Sequence, residues 1–419
     1  MSAIPAKHAR IDPTRIDRRV RHLTELTEAE RPYTRRAFTD LYLEARSWLE
    51  QEFREAGLTP SLDAGANLHG TRPGAEAGLP ALTLGSHIDT VPNGGRFDGI
   101  AGVITALEAA QALAEAGATL RHELRVIDFL SEEPSDYGAS CVGSRALAGT
   151  LTSSMLAGVN ASGETLAEGI ARMGGEPGAL TGPLVREGEL AAFMELHIEQ
   201  GPVLERENVP IGVVGGIVAI HRLQVHVTGR AAHAGTSPMD GRRDALVGAA
   251  RLVDRVSRRA RIWSDQEPFV ATIGRLNVRP GGANVVPGEV SLTLEARALD
   301  EARVVAFLQE IMAWAEKACG ELGLNLRVEE GSTAAAVHCA PEAQRALVAG
   351  CEARGHGYRH LNSGAGHDAM QVANVAPVGM IFIPCVDGVS HHPDEEASLQ
   401  DMVAGAEVFA EALTELDAR

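Results

Sequence analysis

Aromatic residues are scarce, at 4% of 419 positions, so any core must be built mainly from Ala, Val, Leu and Ile. Cysteine is scarcer still. Cys141, Cys319, Cys339, Cys351 and Cys385 are odd in number, scattered, and form no CxxC pair. That argues against a disulfide framework or a cysteine zinc site and makes a reducing cytoplasm the expected compartment. No run reaches 18 uninterrupted apolar residues, so no membrane-spanning helix is expected. Met1 to Arg21 has no apolar stretch of the secretory kind. Positive charge is in deficit: 38 Lys and Arg against 56 Asp and Glu leave a formal charge of −18. Nucleic acid is therefore not an expected partner, since that binding rests on a positive footprint. A local basic pocket for a small acid is still compatible with this balance.

What is present reads as an ordinary globular chain, 45% hydrophobic and 22% charged, long enough for two or three domains. Residues 34–56 carry apolar side chains at helical spacing (Phe38, Leu41, Ala45, Trp48, Leu49, Phe53). ALTLGSH (81–87) reads as a buried strand, 99–117 as an Ala/Leu helix, and ELRVIDFLSEE (123–133) and AAFMELHIEQG (191–201) as strands running into polar residues. This rhythm predicts an α/β fold with a mixed, mostly parallel sheet and helices on both faces, where ligands bind at the carboxyl ends of the strands. The middle differs. RLQVHVTG (222–229), FVATIGRLNV (269–278) and EVSLTLEAR (289–297) alternate as half-buried strands, with helices near 241–259 and 300–321. They predict an inserted α+β domain at 216–328, dividing a larger domain made of 1–215 and 329–419. A helix near 341–353 and a strand at 377–384 complete the latter, and residues 1–30 read as a polar, partly mobile lead-in.

Histidine is the unusual residue: there are 15, several beside Asp, Glu and Gly. In GSHIDT, His87 at a strand end can offer one ring nitrogen to a metal while Asp89 takes the other. Asp98 follows in a Gly-rich loop. The plainer reading is a polar turn that caps the next helix. Glu132-Glu133 repel each other unless a cation or proton relieves them. One as ligand and one as general acid/base fits, as does a solvated acidic loop. In MELHIEQG, strand alternation sets Glu195, His197 and Glu199 on one face, either the polar face of an edge strand or the delivery of a His to a third strand end. In GVSHHPDE, adjacent histidines cannot both face one site, so at most one is a ligand. Three His with two carboxylates suit zinc or a similar cation. HExxH is absent, which argues against single-zinc thermolysin-like chemistry. Cys141 and Cys385 read as small buried residues, and GRR at 241–243 as a helix start.

Taken together, GSHIDTVPNGGRFDG, SEEPSDYGASCVGSRALAG, HIEQGPVLE, GRAAHAGTSPMDGRRDA, GGANVVPG, SGAGHDA and GVSHHPDE resemble the hydantoinase/carbamoylase branch of the co-catalytic zinc amidohydrolases. These are relatives of aminoacylases and zinc exopeptidases. The branch includes N-carbamoyl-L-amino acid hydrolases, β-ureidopropionase and allantoate amidohydrolase. The motifs run in the family's order from about residue 85 to 395.

The resemblance implies a zinc-exopeptidase-like fold and two divalent ions per subunit, zinc first, with manganese, cobalt or nickel as alternatives. His87 and His197 would hold one ion, Glu133 and His391 the other, and Asp98 would bridge them. Asp89 would orient His87, and Glu132 would be the general base. The inserted domain would be a lid that also forms a homodimer contact. Its His233, Asn284 and Arg297 would reach a small carboxylate substrate, His233 across the dimer, while Gln200, Gly366 and His367 would line the pocket. The implied reaction is hydrolysis of N-carbamoyl-L-amino acids, with allantoate or an N-acyl amino acid as the alternative substrate. One departure stands out: Pro134-Ser135-Asp136-Tyr137 occupies the place where many members carry Gly-x-Arg-Phe, so the Arg is missing from that loop.

Overall fold

The structure, a computed structural model, describes residues 8–419. The chain divides into two compact units, one from the residues up to Gly215 with Cys339–Arg419, the other Gly216–His338. In chain order the strands are β1 (Thr59–Leu62), β2 (Leu68–Arg72), β3 (Ala81–His87), β4 (Leu124–Phe129), β5 (Leu190–Ile198) and β6 (Ile211–Ile217). Then come β7 (Ala219–Thr228), β8 (Ala232–His233), β9 (Val270–Arg279), β10 (Val285–Val286), β11 (Glu289–Ala298), β12 (Asn325–Ala334) and β13 (Val337–His338), followed by β14 (Tyr358–Ser363) and β15 (Val378–Ile383).

In the larger unit the strands lie in the order β1-β2-β4-β3-β5-β15-β6, with β14 beside β6. The central neighbours β4, β3, β5 and β15 are parallel, and β1, β2 and β6 are antiparallel to theirs. Every residue of β3 and β15 is buried. Side chains alternate between sheet faces, so both faces are covered, as a parallel sheet requires. The helix Ile100–Glu115 is apolar almost all round and is accordingly buried. It packs on β3 and β5 and against the helix Leu399–Asp417.

The inserted unit is an antiparallel sheet in the order β12-β7-β11-β9, with β8 and β10 as a separate two-stranded ladder. On β11, Val290, Leu292, Leu294 and Ala296 face a core shared with Phe307 and Ile311 of the helix Glu301–Glu321 and Leu252 of the helix Ala245–Ser264. The residues between them are less buried. The helix after GRR is capped by Asp244, whose carboxylate accepts from the Leu246 and Val247 amides.

Three expectations need correction. The inserted unit ends at His338, not 328. β12 is an edge strand, mostly exposed, so it shows no apolar alternation that would mark VEEG as its interior. The lead-in holds an ordered helix, Pro13–Glu25, that buries Ile16, Val20 and Leu23, although Met1–Lys7 lie outside the described residues. And β5 is an interior strand, with Glu195 and His197 buried, so the edge-strand reading fails. Among the described residues no helix is long and apolar enough to cross a membrane.

Candidate metal centre

Four neighbouring parallel strands end at one place. His87 is the last residue of β3, His197 lies one residue before the end of β5, Glu132 and Glu133 follow β4, and His391 follows β15. Asp98 comes from the loop between β3 and the helix Ile100–Glu115. Carboxyl ends of parallel strands converge, so residues three hundred positions apart become neighbours. Ligand atoms of His87, Asp98 and His197 all lie within 4.8 Å of one another, and so do those of Asp98, Glu133 and His391. Asp98 is common to both groups.

The histidine tautomers follow from their neighbours. His87 Nδ1 lies 3.1 Å from the Asp89 carbonyl oxygen and His197 Nδ1 3.0 Å from that of Ile198, so each Nδ1 donates. Each Nε2 is left with its lone pair. Gly99 N–H donates to His197 Nε2 at 3.2 Å. Those Nε2 atoms sit 3.6 and 3.0 Å from Asp98 Oδ1, and His391 Nε2 sits 3.3 Å from both Asp98 Oδ2 and Glu133 Oε1. Lone pairs facing a carboxylate at such distances need positive charge between them. His, Asp and Glu in this number fit divalent cations of the zinc type.

The titration behaviour points the same way. Burial works against charge on His87 and His197, yet Asp89, Glu132 and Asp98 hold the His87 imidazole well above its usual range, and Asp98 raises His197. Bonds to Asp98 and Glu133 push His391 up to about 11. Burial pushes the Asp98 carboxyl up, but His197, His391 and His87 hold it well below the usual carboxylate range. An ionised Asp98 demands cations. Burial raises the Glu133 carboxyl, and it raises Glu132 well above normal, with the charges of Glu133, Asp368 and Asp89 adding to it despite His87. A carboxyl poised upward suits a group that takes and returns a proton.

The His87 ring is bonded by the backbone carbonyl of Asp89 rather than by its carboxylate. That carboxylate lies 3.5 Å from His87 Nδ1 and accepts from the backbone amides of Glu132 and Glu133 at 3.1 and 3.2 Å. It thereby ties the β4 loop to the β3 loop. Gln200 Nε2 donates to Asp98 Oδ2 at 2.7 Å. His367 is buried against His197, ring centroids 4.6 Å apart, and bonds Ser363 Oγ at 2.7 Å. A side chain at Gly366 would meet nothing within 4 Å, so that position borders open space. His392 is exposed and faces Asp394 rather than the cluster. Ser131, Cys141, Gln200 and His391, four of the ten non-glycine residues with positive φ among the described residues, lie in or beside the cluster, each at a cost of about 1–3 kcal/mol.

His233, Asn284 and Arg297 belong to the inserted unit. His233 pairs with Val285 across the β8–β10 ladder, and the Asn284 carbonyl accepts from the Ala234 amide, so these two are neighbours. His233 Nδ1 accepts from the Gly235 and Thr236 amides at 3.1 and 3.2 Å, which leaves Nε2–H as an outward donor. Arg297, on β11, donates to Glu295 Oε1 at 2.7 Å.

The chain matches peptidase family M20/M25/M40 over residues 83–415. The chain belongs to this family. It is 38% identical over 404 residues to an N-carbamoyl-L-amino-acid amidohydrolase of Paenarthrobacter aurescens, covering 96% of this chain and 98% of that one. A ureidoglycolate hydrolase of Arabidopsis thaliana is 34% identical (97% and 87% covered), and an allantoate amidohydrolase of Escherichia coli 33% (91% and 92%). Among solved structures, a hydantoinase/carbamoylase family amidase from Burkholderia multivorans superposes with a TM-score of 0.90 at 34% identity, covering 98% of this chain and 99% of that one. The resemblance read from the motifs is thus borne out, and so is the fold class. This M20 chain is an amidohydrolase, acting on C–N bonds, of a metal-dependent family.

The M20 site also rests on residues that sequence reading left without a role. Arg35 is fully buried and donates through Nε and one terminal nitrogen to the Ile88 carbonyl, at 3.0 and 2.8 Å. Asp128 accepts from the Ile88 amide at 3.0 Å and is held by Arg46. Ile88, between His87 and Asp89, is therefore gripped on both sides. Glu195 accepts from Ser86 Oγ and the Ala369 amide, both at 2.9 Å. Glu395 and Ser390 sit beneath Asp98. The signal for Asp128 and Glu195 was charge within a run that otherwise read as buried strand, while Ser390 and Glu395 lay in the GVSHHPDE motif with nothing local to mark their role.

Proposed function

We propose that the chain hydrolyses the ureido C–N bond of N-carbamoyl-L-amino acids, releasing L-amino acid, ammonia and carbon dioxide. The observation that carries this reading is the five-residue cage of His87, Asp98, Glu133, His197 and His391 with Glu132 at its side, in a chain whose relatives in three genera at 36–38% identity bear that activity's name. The cage would hold two ions, zinc first, sharing Asp98. When bound, such ions polarise a carbonyl and ease ionisation of water near neutral pH.

The chain's own groups do the rest. Glu132 Oε2, 3.7 Å from His87 Nε2, takes a proton from the attacking water and returns it to the leaving nitrogen. His233 Nε2–H, reaching across the proposed homodimer, and the Asn284 amide donate to the developing oxyanion. Arg297 offers a planar fork to the substrate carboxylate, in exchange for part of its bond with Glu295. Attack at the ureido carbon breaks its bond to the α-nitrogen and gives the amino acid and carbamate, which decays to ammonia and carbon dioxide. We assign the inserted unit a lid role and a homodimer contact, and the five unpaired cysteines suit the cytoplasm.

A ureide substrate is the second reading, favoured by the allantoate and ureidoglycolate names among the relatives. The loop that lacks the usual Arg bears on this choice. Here Asp136 pairs with Arg36, and the Tyr137 ring packs on Phe38 while its hydroxyl bonds Glu164. A panel of N-carbamoyl-L-amino acids, allantoate, ureidoglycolate and N-acyl amino acids decides it, scored for ammonia against carboxylic acid. Ammonia from the carbamoyl substrates is expected; ammonia from the ureides alone would reject the leading reading.

A further inference from the structure

We infer that Glu395 is the positioning residue for Asp98, the carboxylate common to both ligand groups. Glu395 is completely buried, although it lies in a loop four residues past His391. Its Oε1 accepts from the Phe97 and Asp98 backbone amides at 2.8 and 3.0 Å. Its Oε2 lies 3.0 Å from Ser390 Oγ, which is also 2.8 Å from Asp98 Oδ2. Glu395 thus holds Asp98 directly at its amide, and both carboxylates border the Ser390 hydroxyl, whose single proton goes to one of them at a time. The contact spans 297 positions and joins the loop that carries Asp98 to the loop that carries His391.

The loop is shaped around this grip. Glu395 N–H donates to the His392 carbonyl at 3.0 Å, closing a turn directly after His391. A Cβ at Gly95 would collide with the Glu395 carboxyl, so the glycine at this position is what lets the carboxylate approach. Partners that orient metal ligands commonly change metal affinity by about 10–100-fold when removed. Because Asp98 belongs to both groups, Glu395 should act on the whole cage rather than on one half.

This rests on the metal-centre reading, and the test separates the two. Purified full-length protein is stripped, reloaded with Co²⁺, and its affinity measured by competition with a chelator while the visible absorption spectrum is recorded. Glu395→Ala should weaken binding by about 10–100-fold and change the spectrum. Glu395→Gln should stay near wild type, because its amide oxygen still accepts both backbone amides and its NH₂ can donate to Ser390 Oγ. Wild-type affinity and spectrum in Glu395→Ala, or equal damage from both variants, would overturn the inference alone. Failure of the unsubstituted protein to bind Co²⁺ would overturn the metal centre itself. If Glu395→Ala does not fold, Glu395→Asp serves, since a carboxylate one methylene shorter loses its reach to the Phe97 and Asp98 amides: weaker Co²⁺ binding supports the link, and unchanged binding refutes it.

Discussion

In the larger unit the polar groups of interest, apart from the exposed His391, are buried and tied down; in the inserted unit they face outward. His87, Asp98, Glu133 and His197 are buried, with their remaining atoms held by backbone groups and by Glu395, Asp89 and Gln200. His233 and Asn284 are exposed, and Arg297 is half-buried beside Glu295. The two cores are likewise separate clusters of side chains. A charge can be held in a dry interior only if its partners are fixed beforehand. Groups that meet a substrate from outside need no such cage. The first arrangement suits chemistry that must be exact in position, the second suits recognition.

Substitutions on each side should therefore fail differently. The largest effect is expected from Glu132→Gln, which should lower kcat by about 10²–10⁴-fold while metal content, read by elemental analysis, stays intact. Unchanged turnover would remove Glu132 from proton transfer. His233→Ala should cost about 10²–10³-fold in kcat/KM, again without loss of metal. Loss of metal in that variant would break the division between the units. In the inserted core, Leu294→Ala should destabilise by about 2–5 kcal/mol in denaturant unfolding, because it empties a fully buried site. Metal affinity should not move, since Leu294 belongs to the separate cluster. The smallest effect is expected for Arg297→Ala: KM for carboxylate substrates rises by about tenfold with kcat nearly unchanged, the pattern of a lost binding anchor. An unaltered KM would leave Arg297 as only the partner of Glu295.

Much of the larger unit was legible because its central strands are short apolar runs and its helices follow their periodicity. ALTLGSH matches β3 residue for residue. The alternation in EVSLTLEAR marked β11 for the opposite reason, one face buried and one not. What escaped included the edge strands β1 and β12, whose exposed residues carry no pattern, the short interior strands β2 and β6, and the helix Pro13–Glu25. That helix buries Arg19 against Glu52, Glu108 and Gln111, so its charges looked like solvent-facing ones. Charge in a sequence is silent about burial when the partner is distant.

The same distinction divides the site. Local order along the chain was enough to place His87 and Asp89 at one strand end and Glu132 and Glu133 at another, since an apolar run that turns polar marks where a strand ends. Their convergence was not local. It took β4, β3, β5 and β15 lying side by side for Asp98 to face three imidazoles. It took the folded loop after β15 to bring Glu395 under the Asp98 amide. Residue type and spacing decide what a side chain can do, but low dielectric and fixed distance make it act, and both exist only once remote segments have packed together.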